Sequence, residues 1–107
     1  MKRGDVVVIA LVGDYGKPRP GLIVQSDLFC ETGSVTLLPL TGHIIDAPLF
    51  RILVEPTEHN GLNKTSQIMV DKLYTTSREK IGAIIGVIDA NILRDVERSM
   101  ALFLGIA

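Results

Sequence analysis

An arginine held between two prolines is the residue of this chain best placed to do chemistry. Arg19 follows Pro18 and precedes Pro20, directly ahead of an apolar run at 21–25. Each proline fixes its own φ at about −65° and drives the preceding residue toward extended geometry, so Arg19 sits on a stiff, non-helical backbone. A planar, permanently charged guanidinium on such a support suits a phosphate. These residues alone leave open an ordinary turn with a solvated arginine.

Polar groups also recur where other predicted strands end, namely Thr41 and Asp71 with its neighbour Lys72. If these ends meet at one rim of a barrel, they suffice for metal-free cleavage of an RNA phosphodiester. The 2′-hydroxyl would attack the neighbouring phosphorus, the arginine would stabilise the five-coordinate phosphate, and a carboxylate would move the proton. The competing interpretations are a turn residue for Thr41 and a strand-end cap or surface ion pair for Asp71.

The remaining reactive side chains carry weaker signals. His43 and His59 could form an acid–base pair, but they lie in different predicted loops, where a solvated histidine is the competing interpretation. The single cysteine, Cys30, excludes an internal disulfide and is expected to be a small buried residue, not a nucleophile. Histidine and cysteine spacings fit no metal motif, and Gly-rich phosphate-binding fingerprints do not occur, so neither metal nor cofactor is expected.

The apolar patterning that must position these groups predicts five short strands, and a sixth if residues 81–88 pair as well. The chain between 73 and 80 is expected to be irregular. The five strands are predicted at 6–12, 21–25, 35–40, 50–54 and 67–70.

A single helix of about 14 residues is predicted to follow the strands. Asp89 is a good N-cap and Gly105 a good C-terminal stop. The apolar residues of the helix recur with the 3.6-residue period of one buried face, which predicts core or dimer interface and no cofactor site. These residues are Ile92, Leu93, Val96, Met100, Phe103 and Leu104.

The composition limits the fold and the function classes. A chain of 107 residues predicts a single domain over 1–107, a mostly β, small barrel with the C-terminal helix packed on it. A net charge of −1 gives no general affinity for polyanions, so any nucleic-acid site must gather its basic residues on one face. The apolar runs are too short for a membrane span and no secretory segment precedes the first strand, so a cytoplasmic protein is expected.

The order of several short motifs resembles the MazF/PemK toxins of type II toxin–antitoxin systems. The matching pieces are KRGDV at 2–6, GKPRPGLIV at 16–24, PLT at 39–41, GL at 61–62, SQIMVDK at 66–72, Thr75, REKIG at 78–82 and the segment 86–105. The Lys-x-Arg-Pro element followed downstream by Pro-Leu-Thr is the most specific part, and the matches span nearly the whole chain.

This resemblance implies an SH3-like β-barrel, a homodimer and sequence-specific, ribosome-independent cleavage of single-stranded RNA. The products would carry a 2′,3′-cyclic phosphate and a 5′-hydroxyl. The essential arginine and threonine of the family fall on Arg19 and Thr41. The aspartate of an Arg-x-Asp element used by some plasmid-borne members falls on Asp71, with Met69 at the arginine position. RNA-binding roles are implied for Gly16, Lys17, Pro18, Pro20, His43, Ser66, Lys72 and Arg78.

The resemblance also implies a partner, an antitoxin whose disordered acidic tail blocks the RNA groove of the dimer. In the family, the loop corresponding to 13–17 covers the RNA, and here it is short. A rival resemblance is to the CcdB toxins, which share the barrel-plus-helix plan and poison DNA gyrase through an aromatic–Gly–Ile C-terminus. The Phe103–Ala107 end and the segment 24–27 resemble that branch, but the chain has no tryptophan. The Gly-Lys-Pro-Arg-Pro element belongs to the ribonuclease side.

Overall fold

The computed structural model describes residues 1–10 and 17–107, which form seven strands and a C-terminal helix. The predicted mostly β fold with one terminal helix is confirmed. The strands are β1 (Asp5–Ala10), β2 (Pro18–Ile23), β3 (Ser34–Thr41), β4 (Arg51–Val54), β5 (Ser66–Met69), β6 (Tyr74–Ser77) and β7 (Ile81–Val87), and the helix is α1 (Ala90–Leu104). Short 3₁₀ turns occupy Asp27–Phe29, Val70–Lys72 and Arg78–Lys80.

The strands pair antiparallel in the order β4-β5-β3-β2-β1-β7, with β6 added to β3. The first half of β3, Ser34–Leu37, pairs with β6, and its last two residues pair with β5. Strands β4 and β7 do not pair with each other, so the sheet is barrel-like but open. The strand β3 is therefore the hub through which the two halves of the sheet are joined.

Two apolar clusters lie on opposite faces of the central strands. Along β1, Val6 belongs to one cluster, which α1 covers through Val96, and Val7 and Ile9 belong to the other. Both faces of β1 are therefore buried, which explains why its sequence is a continuous apolar run without alternation. The result is a core built almost entirely from aliphatic side chains.

The helix has the predicted ends, and its predicted apolar face is buried in part. The Asp89 carboxylate accepts the N–H of Asn91 at 2.7 Å, and Gly105 ends the helix with a left-handed φ of 74°. Val96 is buried, but Phe103 and Leu104 are each 51% exposed. The apolar stripe therefore leaves the core of the single chain before the last turn, where the dimer interface stays a prediction.

Three other expectations are corrected. The strand predicted from Gly21 starts at Pro18, because β2 pairs with β1 there as well. The stretch predicted to be irregular contains β6, a strand whose residues are alternately half-buried and exposed. Cys30 is exposed, not buried. The end of the first predicted strand and the loop at 11–16 lie outside the described residues. Within the described ranges, no helix combines the length and apolar character needed to cross a membrane.

Candidate functional site

A groove opens where β2 and β3 separate. The two strands pair from Ile23↔Leu37 to Gly21↔Pro39, and no described pairing joins them beyond that point. Prolines 18, 20 and 39 have no N–H to donate to a ladder, so continued pairing is disfavoured at this end. The cavity has a volume of about 260 Å³, which suits a short piece of an extended chain. Its lining residues are Val8, Pro18, Arg19, Pro20, Leu40, Gly42, Gly61, Leu62, Asn63, Lys64, Ser66 and Ile85.

Arg19 and Thr41 lie on the two strands that border this opening. If the register of the paired part, which ends at Gly21↔Pro39, continued for two residues, Arg19 of β2 would stand opposite Thr41 of β3. Opposed residues of an antiparallel pair project from the same face of the sheet. Each has its own support, since Arg19 pairs with Ile9 of β1 and Thr41 pairs with Gln67 of β5. The sheet thus positions a guanidinium and a hydroxyl at one end of the molecule.

The hydroxyl of Thr41 has a local hydrogen bond. Its Oγ1 accepts the backbone N–H of His43 at 3.1 Å, which is the turn contact that competes with a catalytic interpretation. Accepting that bond leaves the hydroxyl proton available for donation. The contact holds the hydroxyl in place at the end of β3, and it brings exposed His43 next to Thr41.

One wall of the groove is a tightly organised turn at 57–62. The buried side chain of Asn60 accepts the N–H groups of Thr57 and Leu62, each at 3.0 Å, and donates to the Glu55 carbonyl at 2.9 Å. Gly61 has a φ of 70°, and a Cβ there would lie 2.0 Å from the Ile85 carbonyl oxygen. The turn therefore packs backbone against backbone on β7, which only glycine allows.

The groove also contains a cation that the sequence interpretation did not single out. The cation is Lys64, whose side chain extends from this wall and packs over Gly42. The Ser66 hydroxyl donates a hydrogen bond to the Lys64 carbonyl at 3.0 Å. The Asn-Gly pair at 60–61 is a turn signal that could have marked this loop as ordered. Nothing in the loop composition indicated which strand end it would meet.

Asp71 is engaged elsewhere. It lies in the 3₁₀ turn after β5, four residues beyond Gln67, the partner of Thr41. Arg51, opposite Met69 across β4 and β5, donates to Asp71 at 2.9 Å from Nε and 3.3 Å from Nη2. Burial alone raises the pKa of Asp71, but the hydrogen bond and charge of Arg51 offset it, so the pKa lies below its usual value. The structure places Arg19 and Thr41 on neighbouring strands at the same end of the sheet, and its contacts tie Asp71 to Arg51.

The other predicted RNA-binding residues divide into three groups. Pro18, Pro20 and Ser66 line the groove, and exposed Lys17 directly precedes β2. Lys72 is exposed in the turn with Asp71. Gly16 lies outside the described residues.

Arg78 lies at the other end of β3 from Thr41. Its guanidinium donates to the carbonyls of Thr32, at 3.0 Å, and Cys30, at 2.6 Å, and Ser77 pairs with Ser34 at the start of β3. The length of β3 separates the two sites by about 23 Å at roughly 3.3 Å per residue. Among the described residues, no hydrogen bond joins His43 to His59, and no cluster of three or more His, Cys, Asp or Glu groups is arranged to hold a metal.

Comparisons with known proteins relate this arrangement to one family. The model of the "PemK-like, MazF-like toxin of type II toxin-antitoxin system" matches residues 2–104. A probable endoribonuclease MazF of Mycolicibacterium smegmatis is 44% identical over 108 residues, covering 100% of this chain and 99% of the relative.

Solved structures show the same fold at lower identity. An endoribonuclease in complex with its cognate antitoxin, from a mycobacterial species, matches with a TM-score of 0.83 at 20% identity, covering 100% of this chain and 97% of that one. MazF from Deinococcus radiodurans matches with a TM-score of 0.80 at 19% identity, covering 98% and 96%. The family match and the 44% identical relative favour the ribonuclease branch over the gyrase-poison branch.

Proposed function

The chain belongs to the PemK-like, MazF-like toxin family of type II toxin–antitoxin systems and is an endoribonuclease, and we propose that Arg19 and Thr41 carry its RNA cleavage. The observation that supports this assignment is the register of β2 and β3, whose continuation beyond Gly21↔Pro39 would oppose the two residues. The groove beside Arg19 is lined by apolar side chains together with the two cations Arg19 and Lys64. Its volume of about 260 Å³ fits part of a single strand better than a duplex.

The proposed reaction needs no redox partner and no covalent enzyme intermediate. The 2′-oxygen forms a bond to the adjacent phosphorus, and the bond from phosphorus to the 5′-oxygen breaks. The 2′-hydroxyl loses its proton and the leaving 5′-oxygen gains one, which gives a 2′,3′-cyclic phosphate and a 5′-hydroxyl. Negative charge grows on the phosphate oxygens in the transition state, where the Arg19 guanidinium stabilises it. The Thr41 hydroxyl donates a hydrogen bond to the same phosphate.

Proton transfer is the step in which Asp71 was predicted to act, and it stays a separate prediction. With its pKa below the usual carboxyl value, Asp71 is ionised at neutral pH. An ionised carboxylate can accept a proton but cannot donate one. If Asp71 takes part, its role is therefore that of base, and the acid is another group.

The proposed partners follow from the family. A mycobacterial endoribonuclease of this fold has been solved with its cognate antitoxin, which supports an antitoxin partner here. We propose that the tail of this antitoxin is acidic and occupies the groove, where Arg19 and Lys64 lie. A homodimer is proposed as well, and the exposed Leu102 and Phe103 near the end of α1 are compatible with a covered surface. We propose the cytoplasm as the site of action, because mRNA substrates are found there.

The test is to incubate the purified chain with a long single-stranded RNA in EDTA and to sequence the product ends. We expect cleavage at a small set of sequences, with cyclic phosphate and 5′-hydroxyl ends. Intact RNA under these conditions, together with inhibition of gyrase supercoiling, would overturn the proposal and favour the CcdB-like alternative. An Arg19→Ala preparation purified in parallel controls for contaminating ribonuclease.

A further inference from the structure

We propose that Lys64 binds a backbone phosphate of the RNA next to the phosphate held by Arg19, and so positions the strand in the groove. This inference rests on the proposed function. Lys64 would act on substrate binding, whereas Arg19 and Thr41 act on the chemical step. The groove would then carry one cation on each of two facing walls, Arg19 on β2 and Lys64 on the 55–65 loop.

The side chain of Lys64 lies directly on the backbone of Gly42. A Cβ built on Gly42 would lie 2.5 Å from Cε, 2.7 Å from Nζ and 3.2 Å from Cδ of Lys64. The outer half of the lysine side chain therefore crosses the backbone immediately after Thr41. Glycine at 42 provides the space that the ammonium occupies, since any larger residue would displace it.

The backbone from which Lys64 extends is anchored on both sides. On one side, the Asn60 hydrogen bonds and the packing of Gly61 on β7 fix the turn. On the other side, the Ser66 hydroxyl donates to the Lys64 carbonyl, and Ser66 itself is only 3% exposed. A lysine side chain is normally flexible. Here the backbone of Lys64 is fixed, and the outer half of its side chain packs on Gly42.

The charge of Lys64 is available for a ligand. Within residues 1–10 and 17–107, its ammonium takes part in no salt bridge or side-chain hydrogen bond. The nearby Glu55 carboxylate accepts the Thr65 hydroxyl at 3.1 Å. RNA carries one negative charge per linkage, so a strand bound by Arg19 brings a further phosphate into the groove.

The first experiment compares Lys64→Met, which keeps the aliphatic stem, with Lys2→Met, which removes one charge from an exposed residue near the N-terminus. The substrate is a synthetic single-stranded RNA carrying a site mapped by end sequencing. For Lys64→Met we expect KM to rise about five- to tenfold, with kcat within about twofold of the parent. The slope of log(kcat/KM) against log salt should become shallower by about 0.7. Lys2→Met should match the parent, and Lys64→Arg should restore most of the binding.

A second variant moves the ammonium without deleting it. Gly42→Ala adds a methyl group where Lys64 now lies, so we expect it to raise KM as Lys64→Met does. In a Lys64→Met background the same alanine should change KM by less than about twofold, because the group it displaces is gone. If Gly42→Ala has its full effect in both backgrounds, its effect does not pass through Lys64 and the proposal fails.

The outcomes separate this inference from the proposed function. A Lys64→Met variant with the KM and salt slope of an RNA-cleaving parent would overturn the role of Lys64 and leave the function intact. A parent that leaves RNA uncut would overturn the function itself, before any Lys64 variant is measured. Circular dichroism and thermal melts on each variant ensure that only folded proteins are compared.

Discussion

The guanidinium of Arg51 holds the carboxylate of Asp71 through two hydrogen bonds, although the two residues lie 20 positions apart in the chain. Their side chains are 10% and 18% exposed. The residue directly opposite Arg51 is Met69, the position at which some relatives were expected to carry arginine. A guanidinium therefore reaches Asp71 from the neighbouring strand, in a pair sheltered enough to contribute to stability.

Asp71→Asn is expected to lower the free energy of unfolding by about 2–3 kcal/mol at pH 7, because it leaves the largely buried Arg51 without its counter-charge. The folded-state pKa of Asp71 is below its usual value. The stabilisation that ionised Asp71 gives the folded state is therefore complete above the unfolded-state pKa of about 3.9, and it is lost as the pH falls through the folded-state pKa. Urea unfolding between pH 2 and 7 should show a weaker acid dependence in the variant. The matched control is Asp95→Asn, an exposed helix pair with Arg98, which should cost less than about 0.5 kcal/mol.

The same variant tests the predicted role of Asp71 in proton transfer. At a temperature where Asp71→Asn is fully folded, a base in the reaction should cost about 10²-fold or more in kcat with KM little changed. A folded variant that retains the parent kcat would remove Asp71 from the catalytic set and leave it a structural residue.

Arg19→Ala is expected to lower kcat by about 10²–10³-fold, because the charge that develops on the phosphate loses its main stabilising group. Arg19→Lys should recover only part of the rate, since an ammonium lacks the planar fork of the guanidinium. Single-turnover cleavage of an end-labelled RNA gives the rate, and Arg98→Ala on the exposed face of α1 is the control. Parent-like cleavage by Arg19→Ala would refute the site assignment.

Thr41→Val is expected to give a smaller but clear loss of kcat, and Thr41→Ser should retain most of the activity. Valine also removes the bond to the His43 N–H, worth about 1 kcal/mol of stability. Stability and kcat must therefore be measured on the same preparations. If Thr41→Val loses stability but cleaves RNA at the parent rate, Thr41 is a turn residue only.

Tyr74→Phe is expected to match or exceed the stability of the parent, because the Tyr74 hydroxyl is buried and has no hydrogen-bond partner among the described residues. Burial raises the pKa of Tyr74 to about 12. The stabilisation of the folded state that follows from this raised pKa is therefore present below the unfolded-state pKa of about 10, and it is lost as the pH rises through 12. Thermal melts from pH 8 to 11 should favour the phenylalanine variant increasingly with pH. A constant difference across that range would contradict the burial argument.

Gly61→Ala is expected to cost about 3 kcal/mol or more, because it combines a positive φ with a Cβ placed 2.0 Å from the Ile85 carbonyl oxygen. Gly33→Ala is the matched control, since a Cβ at 33 meets nothing within 4 Å. Chemical denaturation measures both. A loss of similar size at the two positions would mean that the packing of the 57–62 turn on β7 is not what Gly61 provides.

The sequence predicted the elements that carry strong periodicity and missed those that depend on distant partners. Asp89, Gly105 and the strand cores were readable because caps and apolar runs are local signals. The strand β6 was not, because its stability comes from pairing with β3, including a contact between the Thr36 and Thr75 hydroxyls at 2.7 Å. The exposure of the last turn of α1 could not be predicted, because periodicity identifies the apolar face of a helix but not what packs against it.

The candidate site divides in the same way. Arg19 and Thr41 were proposed from residue type and position, and the pairing of two neighbouring strands brings them to the same end of the sheet. Lys64 was not singled out from the sequence, because its contact with Gly42 depends on how a loop more than 20 residues away folds. Arg78 was grouped with the site on motif alone, and its contacts with the 30–32 loop place it at the far end of β3.

Three imino residues border the gap between β2 and β3, and an amide hydrogen is missing at each of them. Two neighbouring strands with unpaired backbone groups would ordinarily tend to pair, because each free carbonyl can accept a hydrogen bond from an N–H group of the other strand. Here such pairing is disfavoured, because the prolines at positions 18, 20 and 39 have no N–H to donate. An RNA strand that binds in this groove would therefore spend no binding energy on separating β2 from β3.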